Sequence, residues 1–192
     1  MSFETSNRHV SANAAASVPL REVAGAGVFV TIAAGMFLAL AVCCHYRVRD
    51  PLLLMFEAED MSNLMAPMVV VDDRLASGFK AIEIPLGAGK GFWHEAGGSA
   101  DKLVQLPRAD SYFMWFRSRW EGGCENAVYL QIDKSRKFVV GNDAIFDTWH
   151  WVKAGPFKLA AGSHDLALSN HSHGIRIDKV EITNDPRYEP SG

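Results

Sequence analysis

Residues 23–44 form one continuous apolar run, and this run limits what the rest of the chain can be. It contains no Asp, Glu, Lys or Arg, each of which costs about 2.5 to 3.5 kcal/mol at the centre of a bilayer. With a rise of about 1.5 Å per residue, the run reaches about 33 Å as a helix, which is enough to cross the hydrocarbon core. We therefore predict a single transmembrane α-helix.

The predicted span divides the chain into parts of different character. The residues before it are rich in Ser, Ala and Asn and lack apolar periodicity, which is typical of a flexible tail. Pro51 ends the Arg-containing stretch that follows the span. The predicted parts are a polar N-terminal tail (1–22), the transmembrane helix (23–44), a juxtamembrane linker (45–51), a folded domain (52–185) and a C-terminal tail (186–192).

Two other interpretations of the apolar run are open. A cleaved signal peptide would use Ala39, Leu40 and Ala41 as its cleavage site, although the polar stretch before the run is long for such a signal. Lipid attachment at Cys43 or Cys44 needs a small residue before the cysteine, whereas Val42 and Cys43 occupy that place. The sequence therefore favours a retained span over both.

Small residues recur at every fourth position along the predicted helix. They are Gly27, Thr31, Gly35 and Ala39. On a helix this spacing lines one side and lets another backbone approach closely, so the stripe is a candidate surface for helix packing. The alternative also stays open, because small residues are common in membrane helices in general.

Charge excludes one class of partner but does not set the orientation of the span. The chain has 19 basic and 22 acidic residues, for a net charge of −3, which argues against nucleic acid as a partner. Arg8 and Arg21 precede the span, while Arg47 and Arg49 follow it. The positive-inside rule therefore favours neither orientation in the lipid bilayer.

From residue 52 onward the chain changes to short apolar or alternating runs separated by Gly, Pro, Asp and Asn. This pattern predicts an all-β sandwich, with hairpin turns at 133–136 and 160–164. The predicted strands are 52–58, 68–71, 81–84, 102–106, 112–117, 127–132, 137–140, 150–153, 157–159, 165–169 and 175–183.

The last predicted strand contains an irregularity. Ile175 and Ile177 lie in one phase of the alternation, and Val180 and Ile182 lie in the other. Because side chains alternate strictly along a regular strand, this slip predicts a bulge at Asp178, which would turn its side chain inward.

Four separated pieces of the domain resemble a known family. They are 56–60, 111–117, 148–149 together with 157–164, and 177–183. In this order and spacing they resemble the jelly-roll, galactose-binding-like β-sandwich and, within it, the carbohydrate-binding modules of families 6 and 35. The resemblance covers residues 52–185. Since that family usually lies outside the cytoplasm, it implies a cytoplasmic N-terminus and a periplasmic or extracellular C-terminal domain.

The resemblance also implies a structural calcium ion. In such modules a calcium ion commonly bridges the first and last strands, and the matching residues here are Glu57, Glu59 and Asp178. Carboxylate oxygens suit this hard cation. The alternative is that the three carboxylates accept hydrogen bonds from the backbone or from arginine side chains.

The sugar-binding residues of the family are matched less well in this sequence. The family has an Asn shortly before the position of Asp178 that binds sugar hydroxyls, and Arg176 stands in that neighbourhood here. Trp93, His94 and Trp120 remain as candidate loop residues for contact with a ligand or a partner. Aromatic loop residues can stack on sugars or anchor protein interfaces, and without the Asn we favour protein contact. The other tryptophans, Trp115, Trp149 and Trp151, are expected in the core or on a sheet face.

No catalytic motif is complete. The glycine-rich stretch 87–91 lacks the first Gly and the Ser or Thr of a phosphate-binding loop. Among the histidines, His164, His171 and His173 offer a possible transition-metal site, although loop histidines are more often solvated. We expect a non-catalytic protein.

These observations favour a structural or accessory subunit of a membrane complex, for example a respiratory or photosynthetic assembly. Its helix and sandwich would contact other subunits of that complex. The alternative function is a membrane-tethered carbohydrate-binding module that recognises envelope or extracellular glycans.

Overall fold

The structure is a computed structural model, and it describes residues 50–88, 97–124 and 126–191. Several predictions concern residues outside these ranges: the polar tail, the transmembrane helix (23–44), its small-residue stripe (Gly27, Thr31, Gly35 and Ala39), and the loop residues Trp93 and His94. Within the described ranges no helix is long and apolar enough to cross a bilayer.

The described ranges fold into two antiparallel sheets that enclose one core, which confirms the predicted all-β sandwich. The strands are β1 (Leu53–Glu57), β2 (Ser62–Met65), β3 (Val69–Asp72), β4 (Lys80–Ile84), β5 (Ser99–Leu106), β6 (Asp110–Trp120), β7 (Ala127–Ile132), β8 (Phe138–Gly141), β9 (His150–Leu159), β10 (Gly162–Asn170) and β11 (Ile175–Thr183). Sheet A has the order β3-β4-β11-β6-β9, and β1 also pairs with β11. Sheet B has the order β2-β5-β10-β7-β8.

Strict alternation along β6 separates the core from the outer surface of sheet A. Tyr112, Met114, Phe116, Ser118 and Trp120 are buried on the inner side, and the residues that alternate with them are half-buried on the outer side. This is the period of two that a strand with one face on the core requires. The outer side of β6 carries Phe113, Trp115, Arg117 and Arg119.

The predicted irregularity in β11 is a β-bulge at Asp178. Ile177 pairs with Ser118, and Lys179 pairs with the adjacent Arg117, so Asp178 has no opposite residue on β6. The Asp178 side chain is fully buried, as the sequence predicted. On its other edge, β11 pairs with β4 before the bulge and with β1 after it.

Two differences from the predicted strands have local causes. β2 was not predicted because all its residues are exposed, so it shows no alternation. Residues 150–159 form one strand, whereas two strands, 150–153 and 157–159, were predicted. Gly155 and Pro156 lie in a bulge of this edge strand, where a missing N–H is tolerated. Gly155 has φ +111°, and a Cβ there would lie 2.9 Å from the Tyr112 carbonyl oxygen.

The turn between β7 and β8 is fixed by a buried histidine. His164 Nε2 lies 3.0 Å from the Ala160 carbonyl oxygen, and its Nδ1 contacts Asp133 Oδ2. Both ring nitrogens face acceptors, so both must donate, which requires the protonated ring. Burial alone would lower the pKa of His164, but these contacts outweigh it and raise the pKa above its ordinary value.

We expect the stability that His164 contributes to depend on pH. Because its pKa is raised in the folded state, the contribution is fully present below the unfolded value of 6.5 and is lost as the pH rises through the folded value. The melting temperature of the unmodified chain should exceed that of His164→Asn by a few degrees at about pH 6, and by less at about pH 9.

Asp133→Asn is the matched control, because it removes the carboxylate that holds the proton on His164. The melting temperature of the unmodified chain should also exceed that of Asp133→Asn by more at about pH 6 than at about pH 9. If the difference in melting temperature between the unmodified chain and His164→Asn grew toward pH 9, the raised pKa of His164 would be contradicted.

Candidate functional site

Three carboxylates meet where β1 pairs with β11. Glu57 ends β1, Glu59 lies in the following 3₁₀ turn, and Asp178 is the bulged residue of β11. Glu57 stands opposite Lys179, and this pairing places it beside Asp178. One oxygen from each carboxylate lies within 4.8 Å of the other two. The structure thus brings together the three residues predicted as calcium ligands.

Two basic side chains and one hydroxyl contact this carboxylate cluster. The Arg117 guanidinium donates to Asp178 Oδ2, and Lys179 Nζ lies 3.1 Å from Glu57 Oε1. Ser77 Oγ lies 2.5 Å from Glu57 Oε2 and 2.9 Å from Asp178 Oδ1, but its single proton can be donated to only one of them at a time. Hydrogen bonds and ion pairs therefore satisfy part of the cluster.

Glu59 is the member of the cluster that these contacts leave out. Its Oε2 is buried and has no hydrogen-bond partner. Burial raises the pKa of Glu59, and the neighbouring carboxylates of Glu57, Asp178 and Asp60 raise it further. A divalent cation would supply the missing partner and relieve the repulsion among the carboxylates. The residues present therefore fit a calcium ion.

The outward positions of sheet A form rows across the strands. Because Phe116 and Val180 face the core, their neighbours Trp115 and Glu181 face outward. The register gives one row of Lys153, Trp115, Glu181 and Met55, and a next row of Trp151, Arg117, Lys179 and Glu57. Aromatic and charged side chains thus lie side by side on this surface.

We call one part of this surface the aromatic face: Phe113, Trp115, Trp149, Trp151, Arg117 and Lys153. All four rings are half-buried. Lys153 Nζ lies 4.5 Å from the ring centroid of Phe113 and 4.9 Å from that of Trp115. Arg117 Cζ lies 5.3 Å from the ring centroid of Trp149. These distances are those of cation–π contacts.

The three outward tryptophans also carry unused donors. The indole Nε1 atoms of Trp115, Trp149 and Trp151 are buried and have no hydrogen-bond partner. Flat apolar rings beside a few charged groups are typical of small-molecule binding surfaces, since the rings supply contact area and the polar groups fix orientation. Chemically, the aromatic face can stack on a flat, partly apolar ring, and the cationic Arg117 and Lys153 can donate hydrogen bonds to oxygens on that ring.

The structure corrects the prediction that Trp120 contacts a ligand or a partner. Trp120 is 0% exposed, and its Nε1 donates to Asp143 Oδ1 at 3.2 Å. Its ring meets His150 edge-on, with the ring centroids 5.8 Å apart. As the last even-numbered residue of β6 it faces the core, so its ring has no free face for stacking.

Arg176, the other predicted contact residue in the described ranges, is held by two carboxylates. Its Nη1 lies 3.0 Å from Asp73 Oδ2, and its Nη2 lies 3.0 Å from Glu83 Oε1. Burial lowers the pKa of Arg176, but these two carboxylates outweigh that effect and raise it. The side chain therefore ties β11 to β4 and to the loop after β3.

The three histidines considered for a transition metal do not form a cluster. His164 has both ring nitrogens on acceptors, His171 Nδ1 contacts Ser172 Oγ at 2.9 Å, and His173 Nδ1 accepts from the Gly87 N–H at 3.4 Å. In the described part of the chain, the group of side chains placed to hold a metal ion is the carboxylate cluster.

A cleft of about 650 Å³ lies between the edge strands β8 and β9. The rings of Phe138 and Phe157 meet in it edge to face, 5.0 Å apart. Among its lining residues Asp133 is the one carboxylate, and His164 contacts it. Glycoside hydrolysis commonly needs two carboxylates on either side of the bond, so this cleft does not have that arrangement.

Comparisons with known proteins bear on the fold. A scan against family models and a search of curated proteins found no match. The family 35 carbohydrate-binding module from Clostridium thermocellum is a solved structure with 19% identity and a TM-score of 0.53, covering 67% of this chain and 97% of the module. The C-terminal family 6 module of a laminarinase from Zobellia galactanivorans has 16% identity and a TM-score of 0.51, covering 69% and 99%.

The chain also matches one part of a larger enzyme. The GH26-CBM35 β-(1,4)-mannanase from Podospora anserina is 18% identical with a TM-score of 0.56, and the match covers 74% of this chain but 29% of the enzyme. The chain thus spans less than a third of that enzyme's length. The described domain has the β-sandwich fold of carbohydrate-binding modules. Within that class its structural neighbours include modules of families 35 and 6.

We predict that calcium stabilises the domain through Glu59. At a calcium concentration about 100 times the dissociation constant, the gain is about 2.7 kcal/mol, and the melting temperature should rise by several degrees relative to a sample with chelator. Glu59→Gln should abolish most of this rise, because it removes the charge that has no other partner.

Asp60→Asn is the matched control, since it removes an exposed neighbouring carboxylate outside the cluster. The melting temperature of Asp60→Asn should rise with calcium as much as that of the unmodified chain. Equal melting temperatures with calcium and with chelator in the unmodified chain would contradict the site.

Proposed function

We propose that the domain is a non-catalytic glycan-binding module and that it binds sugar on the aromatic face. The observation that carries this proposal is the set of half-buried tryptophan rings beside two cationic side chains on the outer side of a sandwich of this class. Rings of this kind bury large area at low entropic cost. The structural neighbours favour glycan binding over the accessory-subunit role, which rests on residues outside the described ranges.

The spacing of the face suits a chain of sugar rings. Trp115 on β6 and Trp151 on β9 lie in adjacent rows of neighbouring strands. Strands are about 4.8 Å apart, and alternate residues on one strand are about 6.6 Å apart. Trp149 continues the line beyond Trp151. The backbone positions of Trp149 and Trp151 are therefore about 6.6 Å apart, so two neighbouring sugars would meet these two rings.

The charged groups on the face would recognise hydroxyls. Arg117 lies opposite Trp151 in its row, and Lys153 lies opposite Trp115. Both are cationic donors, and their hydrogen bonds to oxygen are stronger than those of neutral groups. The stacked rings would supply the contact area, and these two side chains would set the orientation of the sugar.

We propose binding without catalysis. The close carboxylates of the domain are already engaged: Arg117 contacts Asp178, and Lys179 contacts Glu57. The cluster is suited to a structural cation, and it would stabilise the junction of the first and last strands without touching the sugar. The aromatic face itself contains no carboxylate.

We further propose that the domain lies outside the cytoplasm and is tethered by residues 23–44. This location rests on the sequence, because the span lies outside the described ranges. A tether would hold the module at the membrane, where it could bind envelope or extracellular glycans.

Trp151→Ala should weaken glycan binding by at least about ten-fold, equivalent to about 1.4 kcal/mol, because it removes the central ring of the face. Binding would be measured on a glycan array and then by calorimetry with the best glycan. Tyr129→Ala is the matched control, since it removes a half-buried aromatic ring from the outer side of sheet B. Equal losses in both variants, or none in Trp151→Ala, would contradict the assigned surface.

A thiol reagent can test the proposed location. Cys124 is exposed, and the other two cysteines, Cys43 and Cys44, lie in the predicted span. In a Cys43→Ser/Cys44→Ser background, a membrane-impermeant maleimide should label Cys124 in intact cells. Lysed cells are the positive control, and labelling of Cys124 in lysed cells alone would place the domain in the cytoplasm.

A further inference from the structure

The chain after β11 returns to the outer side of sheet A. The Lys153 ammonium donates to the Pro186 carbonyl oxygen at 3.0 Å, and the Tyr188 hydroxyl donates to Glu181 Oε2 at 2.6 Å. We call residues 184–188 the strap. Lys153 and Glu181 are the two neighbours of Trp115 in its cross-strand row, on β9 and β11 respectively. A segment that contacts both therefore lies over β6 at Trp115.

Burial along β11 supports this position of the strap. Glu181 and Thr183 occupy outward positions, opposite Trp115 and Phe113, yet they are 7% and 1% exposed. Lys179, two residues earlier on the same side of β11, is half-buried. The strap thus lies over the Trp115 end of the aromatic face and not over the row that contains Trp151 and Arg117.

Local hydrogen bonds fix the strap in place. The Asp185 N–H donates to Thr183 Oγ1 at 3.1 Å, and the Arg187 N–H donates to Asp185 Oδ1 at 2.9 Å. Asn184 Nδ2 donates to Asp110 Oδ2 at 2.8 Å. Burial raises the pKa of Tyr188 to about 12, with the Glu181 carboxylate adding to the effect, so the hydroxyl stays protonated and keeps donating at neutral pH.

We infer that the strap is a specificity element that ends the glycan site at Trp115. The inference rests on the proposed function. A sugar chain lying along Trp149 and Trp151 would meet the strap at the next ring, where the Pro186 carbonyl already accepts from Lys153. The site therefore takes the end of a glycan chain, one or two units long, and excludes longer internal segments.

The test measures affinity against chain length. The probes are manno-, cello- and xylo-oligosaccharides of about two to six units, titrated into the full chain by calorimetry. In the unmodified chain affinity should stop rising after about two units. In Tyr188→Ala, which loses the contact with Glu181, affinity for the longer probes should rise by about ten-fold over the unmodified chain.

Arg187→Ala is the matched control, because that side chain is 92% exposed and lies in the same strap. In this variant affinity should stop rising after about two sugar units, as in the unmodified chain, and we call this levelling-off the plateau. Tyr188→Phe, which keeps the ring but loses the hydroxyl, is a second variant should Tyr188→Ala fail to fold, and it should shift the plateau in the same direction.

The outcomes distinguish a failure of the strap inference from a failure of the proposed function. If the unmodified chain and the Tyr188 variants bind with the same dependence on length, the strap inference fails while the proposed function stands. If affinity in the unmodified chain keeps rising to six units, the inference fails in the same way. If the unmodified chain binds none of the probes and no other glycan on an array, the proposed function fails and the inference fails with it.

Discussion

The arrangement of sheet A depends on one extra residue in its central strand, Asp178. A strand can pair with one neighbour at a time on a given edge, and β11 exchanges β4 for β1 at the bulge. The bulge also turns a carboxylate into a fully buried position, which is costly unless the charge is paired. Arg117 and Ser77 supply that pairing, so the bulge determines where these side chains lie.

Arg117 connects the buried cluster with the outer surface. Its guanidinium contacts Asp178 and also lies against the ring of Trp149. In the cross-strand row it stands between Trp151 and Lys179, the latter paired with Glu57. The side chain that neutralises the cluster therefore also organises the proposed sugar-binding rings. A cation among the carboxylates would hold this arrangement without contacting the sugar.

The sequence predicted what depends on local pattern. The slip in alternation located the bulge at Asp178, and the resemblance brought Glu57 and Glu59 to it. The site residues were harder to predict, because Trp120 stands beside a loop and was therefore taken as exposed. Alternation contains the signal: Trp120 shares its phase with Met114 and Phe116, whereas Trp115 shares its phase with two arginines. The strap was not predictable, since its contacts join residues that only the tertiary fold brings together.

The most direct test of the account is to follow the indole N–H signals of the full chain by NMR while its best-binding glycan is added. The chain has five tryptophans, so each signal can be assigned by substitution. The account predicts large shifts for Trp149 and Trp151 and none for the buried Trp120. Shifts confined to Trp93 or Trp120, with Trp149 and Trp151 unchanged, would contradict the assignment of the sugar to the outer side of sheet A.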